Sequence, residues 1–419
     1  MNWFYFIPVI SFGILFFMAA KKTRIVLYSE GKVEIVKNYL PLLSIGLYLL
    51  SALLIFFVDP ELWYPEFSTA SYTATNFFIY SVILFLYLLP TLYFKPIVKK
   101  TALLKTKTLT LLMFFISLMG WYSFIYLIPF AARGMMMNPE DLRSLMNTEN
   151  YFILPQGLQT TLAIGTSYFY LFYIAFFFIS IIQKQHFFIR LSLFVGSISY
   201  IVAGLSFATR DVFVFYMLGF LFIYYFFKPL LSNSIEHFIK KCLILFGSLV
   251  ISAIIFYSYH RFENSDRSAL AYGTIGYLAQ QPFVFSETIE KQTYFSYGDT
   301  YFPIIKGIFT EAVEPEKKTE AYLWSFGTFI ANFYSEGGWL FLIIITLVFV
   351  PFFYFKLRFT KKINFYQNMI VVLFYYQFIS QGVFYFKMGS RAGNIYIIIL
   401  SFIYFSLFFK LKERRMLSK

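Results

Sequence analysis

Apolar stretches alternate with polar segments along the whole chain, at roughly residues 3–20, 39–58, 76–94, 108–130, 157–182, 187–207, 211–227, 241–259, 337–355, 363–384 and 392–409. A helix rises about 1.5 Å per residue, so about 20 apolar residues cross the hydrocarbon layer of a bilayer. The pattern predicts an all-α, polytopic integral membrane protein with about eleven (ten to twelve) transmembrane helices, in which residues 1–419 form one polytopic domain. Only Ala208, Thr209 and Arg210 separate 187–207 from 211–227. That pair reads either as a tight re-entrant hairpin or as two full spans.

The polar segments set the orientation. Lys21, Lys22 and Arg24 follow the first apolar stretch. A cleaved signal peptide carries its positive charge before the run, so this order predicts an anchored span with the N-terminus outside. Counting onward, the inner segments are 21–38, 95–107, 183–190, 228–241, 356–362 and the tail from Lys410. They hold 24 of the 35 Lys and Arg but only four of the 21 Asp and Glu, namely Glu30, Glu34, Glu236 and Glu413. The inner face then carries about +20 and the outer face about −6, as the positive-inside rule requires, and the C-terminus is cytoplasmic.

Composition sharpens this picture. The chain is 59% apolar, and its 13% charged residues fall well below the roughly 25% of soluble domains. A soluble enzyme, a disordered chain and a nucleic-acid module are excluded. The net charge of +14 becomes a topology signal and not the footprint of a polyanion. A single cysteine, Cys242, excludes a disulfide framework and a cysteine-ligated metal cluster. Every inner segment is short and no GxxxxGK[ST] pattern occurs, so an ATP-driven pump is not expected. The two long segments, 131–156 and 260–336, both lie outside, and chemistry is expected there. The second holds an aromatic stretch, 266–289, expected as short helices lying in the interface, aromatic side down.

A few polar residues sit at the outer ends of apolar runs. Arg210-Asp211 reads as a turn with a local ion pair and an N-cap, or as an anion site in which helix N–H groups and a guanidinium fork face phosphate. His260-Arg261 reads as an interfacial pair, or as a proton-moving histidine beside an arginine that binds an anionic headgroup, with Arg267 in the same patch. Glu336, ahead of Gly337-Gly338, is a helix cap or a carboxylate acting beside the arginines. Lys387 and Arg391 sit at the last outer turn, where Gly389 and Gly393 would let a ligand approach the backbone. Tyr272, Tyr277, Tyr297 and Tyr301 supply flat rings that serve an interfacial belt or stack on sugars. Glu311, Glu314, Glu316, Lys317 and Lys318 read as a solvated tip, and no outer His/Asp/Glu group has metal-ligand spacing.

Three stretches resemble one family, the bacterial O-antigen and capsular polysaccharide repeat-unit polymerases of the Wzy type. They are Thr209-Arg210-Asp211 leading into Phe213–Phe227; Tyr272–Glu290 with Tyr297-Gly298-Asp299; and Phe326-Gly327-Thr328-Phe329 followed by Asn332 to Gly338. The resemblance implies a glycosyltransferase of the bacterial cytoplasmic membrane. Such an enzyme joins oligosaccharide repeat units carried on undecaprenyl diphosphate, which serve as donor and acceptor, at the outer face. It implies no cofactor and no metal, and a flippase and a chain-length regulator as partners. Arg210 and Arg261, with Arg267, Lys387 or Arg391, would stabilise the departing lipid diphosphate. His260, Asp211 or Glu336 would accept the acceptor's proton. Tyr272, Tyr277, Tyr297, Asp299 and Tyr301 would hold the sugars. Two rivals remain: an O-antigen ligase or other lipid-sugar transferase of similar architecture, and a non-enzymatic flippase, which needs polar residues deep within its spans, where this sequence has almost none.

Overall fold

The computed structural model describes all residues except 1, 23, 30–31, 38–39, 65–68, 94–96, 100–106, 138–140, 143–144, 146–152, 208, 263–274, 311–326, 359–364 and 418–419. Among the described residues sixteen α-helices form. Residues 1–98 contribute α1 (Phe6–Lys22), α2 (Leu40–Leu54), α3 (Pro60–Trp63) and α4 (Ala74–Leu88). Next come α5 (Lys107–Met136), α6 (Leu158–Ser167), α7 (Tyr170–Ile182), α8 (Phe187–Leu205), α9 (Asp211–Phe227) and α10 (Asn233–Phe262). The remainder holds α11 (Tyr277–Ala279), α12 (Gln281–Lys291), α13 (Pro303–Gly307), α14 (Thr328–Arg358), α15 (Phe365–Gln381) and α16 (Arg391–Leu417).

The chain is an all-α, multi-pass membrane protein by class, with one small sheet beside its helices. Six helical segments are long and apolar enough to cross a bilayer: Trp3–Lys21, Ala74–Tyr93, Leu109–Met136, Phe187–Leu205, Asp211–Leu230 and Thr328–Leu357. A seventh arises if α6 and α7, bent by 49°, are one broken span. Pro41–Phe57 and Arg391–Phe405 are shorter apolar helices. On α14, Leu340, Ile343, Ile344, Leu347 and Val348 are exposed. Such a contiguous apolar face is costly in water and neutral against lipid. The 187–207 and 211–227 stretches form two separate helices, each of spanning length.

The chain divides into two compact units, one of residues 1–98 with 275–419 and one of residues 99–274. In the second unit, small residues set the packing. A Cβ on Gly120 would lie 2.6 Å from the Gly196 backbone, so α5 and α8 cross at a point that tolerates only glycine. Tyr170 of α7 stacks on Tyr200 of α8 with centroids 4.1 Å apart. Ser197 and the Tyr216 hydroxyl meet at 2.8 Å, giving two polar groups a partner inside an apolar bundle.

The first unit carries a small sheet in which β1 (Arg24–Ser29) pairs antiparallel with β2 (Lys32–Lys37) from Arg24 opposite Lys37 to Ser29 opposite Lys32, with β3 (Ile97–Lys99) on the other edge of β1. At its other end lies α12, and here the structure corrects the reading of 266–289 as helices lying in the interface. Within the described part of that stretch, Gln281 to Thr288 are all buried. Phe283 is enclosed by the rings of Tyr5, Tyr64, Tyr72 and Phe77 at 4.8 to 5.8 Å, and Phe285 meets Tyr80. The polar positions of α12 also find partners. Ser51 donates to Gln281 at 2.8 Å, Ser71 donates to Glu287 at 2.8 Å, and Asn76 donates to Glu290 at 3.2 Å. Lys291 pairs with Glu287. A short helix satisfied on all sides is stable inside a bundle, and the aromatic rings of α12 pack on protein within the first unit.

Candidate functional site

The candidate site is at the end of the first unit where the segments 296–307, 328–338 and 382–394 meet. The meeting is made by polar side chains within apolar helices. Gly337 and Gly338 interrupt α14; Gly338 has φ +61°, and Phe295 lies 3.0 Å from where its Cβ would be. Only glycine takes that backbone without strain. The break turns Glu336, which is fully buried, toward the 296–301 turn. Its carboxylate accepts from the Ser296 hydroxyl at 2.8 Å and from the backbone N–H groups of Gly298 and Tyr301. Tyr297 and Gly298 both have positive φ, and the Tyr297 N–H donates to the Glu336 carbonyl at 2.6 Å. The carboxylate thus replaces water for a turn that has no other secondary structure.

Two asparagines complete the frame. Asn332 donates to the Tyr301 hydroxyl and accepts from the Phe386 N–H at 2.6 Å. Asn394 accepts from the N–H groups of Ile304 and Ile305 at 3.2 and 3.3 Å, capping α13, and donates to the Tyr301 and Met388 carbonyls at 3.0 and 3.3 Å. Burial, with the Glu336 carboxylate nearby, pushes the Tyr301 phenol well above its usual range against the opposing Asn332 bond. Tyr301 is therefore a neutral, buried anchor. Tyr297 is 72% exposed, and Asp299 pairs with Lys306 at 2.7 Å.

The sequence-predicted residues distribute as follows. Glu336, Asp299, Tyr301, Tyr297, Lys387 and Arg391 belong to the first unit, and the structure gathers their segments at one end. Tyr277 is half-buried at the start of α11. Arg210 and Asp211 belong to the second unit. Arg210 is the residue preceding α9 and makes no side-chain capping bond, while Asp211 sits in the first turn, where a carboxylate is favourable to the helix dipole. His260 and Arg261 are at the C-terminal end of α10, and their side chains lie outside what is described. Arg267, Tyr272 and the 311–318 tip lie outside the described residues.

Gly389 and Gly393 do not open a path for a ligand. A Cβ on Gly389 would run into the rings of Tyr301 and Phe386, and one on Gly393 into the Met388 backbone. The chain itself fills those spaces. Ser296, Lys306 and Asn394 are not among the sequence-predicted residues, and Asn332 enters there only as part of a motif without a role of its own. The available signal was a polar side chain inside or just before an apolar run, as Asn394 and Asn332 are. No known protein family, curated protein or solved structure matches the chain.

Proposed function

We propose that this chain is a membrane glycosyltransferase that joins lipid-diphosphate-linked oligosaccharide repeat units at the outer face of the bacterial cytoplasmic membrane, with about eleven spans, the N-terminus outside and the C-terminus inside. The observation that carries this reading is the gathering of the long segment's 296–307 turn with the 382–394 turn at one end of the first unit, held by Glu336 and Asn394. An otherwise irregular segment braced to that degree is the kind of rigid support that a site for a lipid-borne sugar requires. The sidedness has its own support. Strands β1 and β3 pair although they come from 21–38 and 95–107, two segments that the charge count assigns to one face.

In this reading an acceptor hydroxyl attacks the anomeric carbon of the donor sugar. The bond from that carbon to the lipid diphosphate breaks, the diphosphate leaves with its electron pair, and a chain carboxylate or His260 takes the acceptor's proton. Cations at the outer ends, Arg210 among them, stabilise the leaving diphosphate where water is scarce. Glu336 is better used as the brace of the 296–301 turn than as the base, because all of its described bonds hold backbone and Ser296. The deciding experiment reconstitutes the purified protein with lipid-linked repeat units alone. A ladder of polymer lengths is expected. Transfer only when a second acceptor is added would make it a ligase, and movement of lipid-linked sugar across the bilayer without any new bond would make it a flippase.

A further inference from the structure

Within the first unit lies a half-open cavity of about 550 Å³ that no part of the foregoing site uses. Its volume falls within the roughly 300–1,000 Å³ of small-molecule sites. The buried rings of Tyr5 and Tyr72 line it, and Asn2, Asp59, Glu61 and Thr69 line it as exposed polar residues. Both rings are braced from behind by Phe283 of α12, at 5.6 and 4.8 Å. Ser71, next to Tyr72, is held by Glu287 of the same helix. Helix α12 therefore braces this wall from behind.

We propose that this cavity binds a hydroxyl-rich, uncharged or amine-bearing sugar ring. The lining selects that chemistry. It holds carboxylate acceptors, Asp59 and Glu61, together with the amide and hydroxyl donors of Asn2, Thr69 and Tyr5, while Tyr72 contributes its ring. A sugar presents both donors and acceptors and an apolar C–H face for the rings. A phosphate is disfavoured, because two carboxylates line the cavity and none of the lining residues is Lys, Arg or His. A quaternary ammonium group would use the carboxylates and rings but leave the hydroxyl and amide donors idle. One Asp59 oxygen already accepts from the Glu61 N–H at 3.1 Å, which fixes the orientation of that carboxylate. The inference rests on the proposed function only for the source of the sugar, a repeat unit of a lipid-linked glycan.

The test uses the full-length protein in a polyoxyethylene detergent, whose headgroup carries neither sugar nor charge. The probe is the glycan released by mild acid from the producing organism's own envelope, followed by saturation-transfer NMR and calorimetry, with choline and sodium pyrophosphate as competitors. Binding of the glycan is expected, unaffected by either competitor. The Asp59→Asn/Glu61→Gln protein, in which asparagine still caps α3, should bind it at least about tenfold more weakly. Tyr5→Phe keeps the ring against Phe283, and should weaken binding in the same direction. Absence of glycan binding, equal binding by the variants, or displacement of the glycan by choline or pyrophosphate would overturn the inference. The two readings separate cleanly. Glycan binding without a polymer ladder removes the proposed function and leaves the cavity assignment, whereas a polymer ladder with no loss of glycan binding in the cavity variants does the reverse.

Discussion

At the scale of single residues, the chain places polar groups in apolar surroundings and gives them local work. Glu336 binds two backbone N–H groups and one hydroxyl of a turn some forty residues upstream. Replacing it with Gln turns one acceptor into a donor that faces donors. Glu336→Gln should cost about 1–3 kcal/mol and speed hydrogen exchange at Gly298 and Tyr301. Exchange at those amides equal to the parent protein would show that the carboxylate is not the brace. Asn394→Leu removes the cap from Ile304 and Ile305 and strands two carbonyls. A loss of about 2 kcal/mol or more in detergent unfolding is expected, larger than for Asn394→Ser, which keeps part of the bonding. Both residues were visible as polar letters in or beside apolar runs. Their partners were not, because all but Met388 lie tens of residues away in the chain.

At the scale of elements, glycine decides where helices break and where they touch. The α5–α8 crossing at Gly120 and Gly196 leaves no room for a side chain. Gly120→Val should therefore destabilise the second unit by about 1–3 kcal/mol, read as a lower unfolding temperature, with Gly13→Val as the control because nothing lies within 4 Å of that position. An equal response of the two variants would refute the close crossing. Helix α12 shows the limit of pattern reading. Its aromatic residues interspersed with Gln, Ser, Thr and Glu resemble an interfacial helix, and in isolation that composition fits the membrane surface. Burial follows from Tyr5, Tyr64, Tyr72 and Phe77 around Phe283, more than two hundred residues earlier in the chain. Period and composition along α12 contain nothing about those rings.

At the scale of the whole molecule, charge sidedness makes the clearest prediction. In a Cys242→Ser background, cysteine introduced at Thr310 should react with a membrane-impermeant maleimide in intact cells, while cysteine at Ser234 should react only after the membrane is opened. Both positions are exposed in the protein, so differential labelling reports orientation and not burial. Labelling of Ser234→Cys from outside would invert the proposed topology.

The sequence by itself determined that the protein is helical and membrane-embedded. Runs of apolar residues and the sorting of Lys and Arg are one-dimensional quantities, read by lipid and by the insertion machinery before tertiary packing exists. Tertiary structure alone decided that part of the long polar segment is buried within the first unit, and that Glu336 braces a turn. It also decided that Gly389 makes room for Tyr301, and that Tyr5 and Tyr72 share a cavity wall with Asp59. Each of these depends on which distant residue removes water from a polar group or fills the space beside a glycine. That is settled by close packing in three dimensions, to which the period of a single segment is blind.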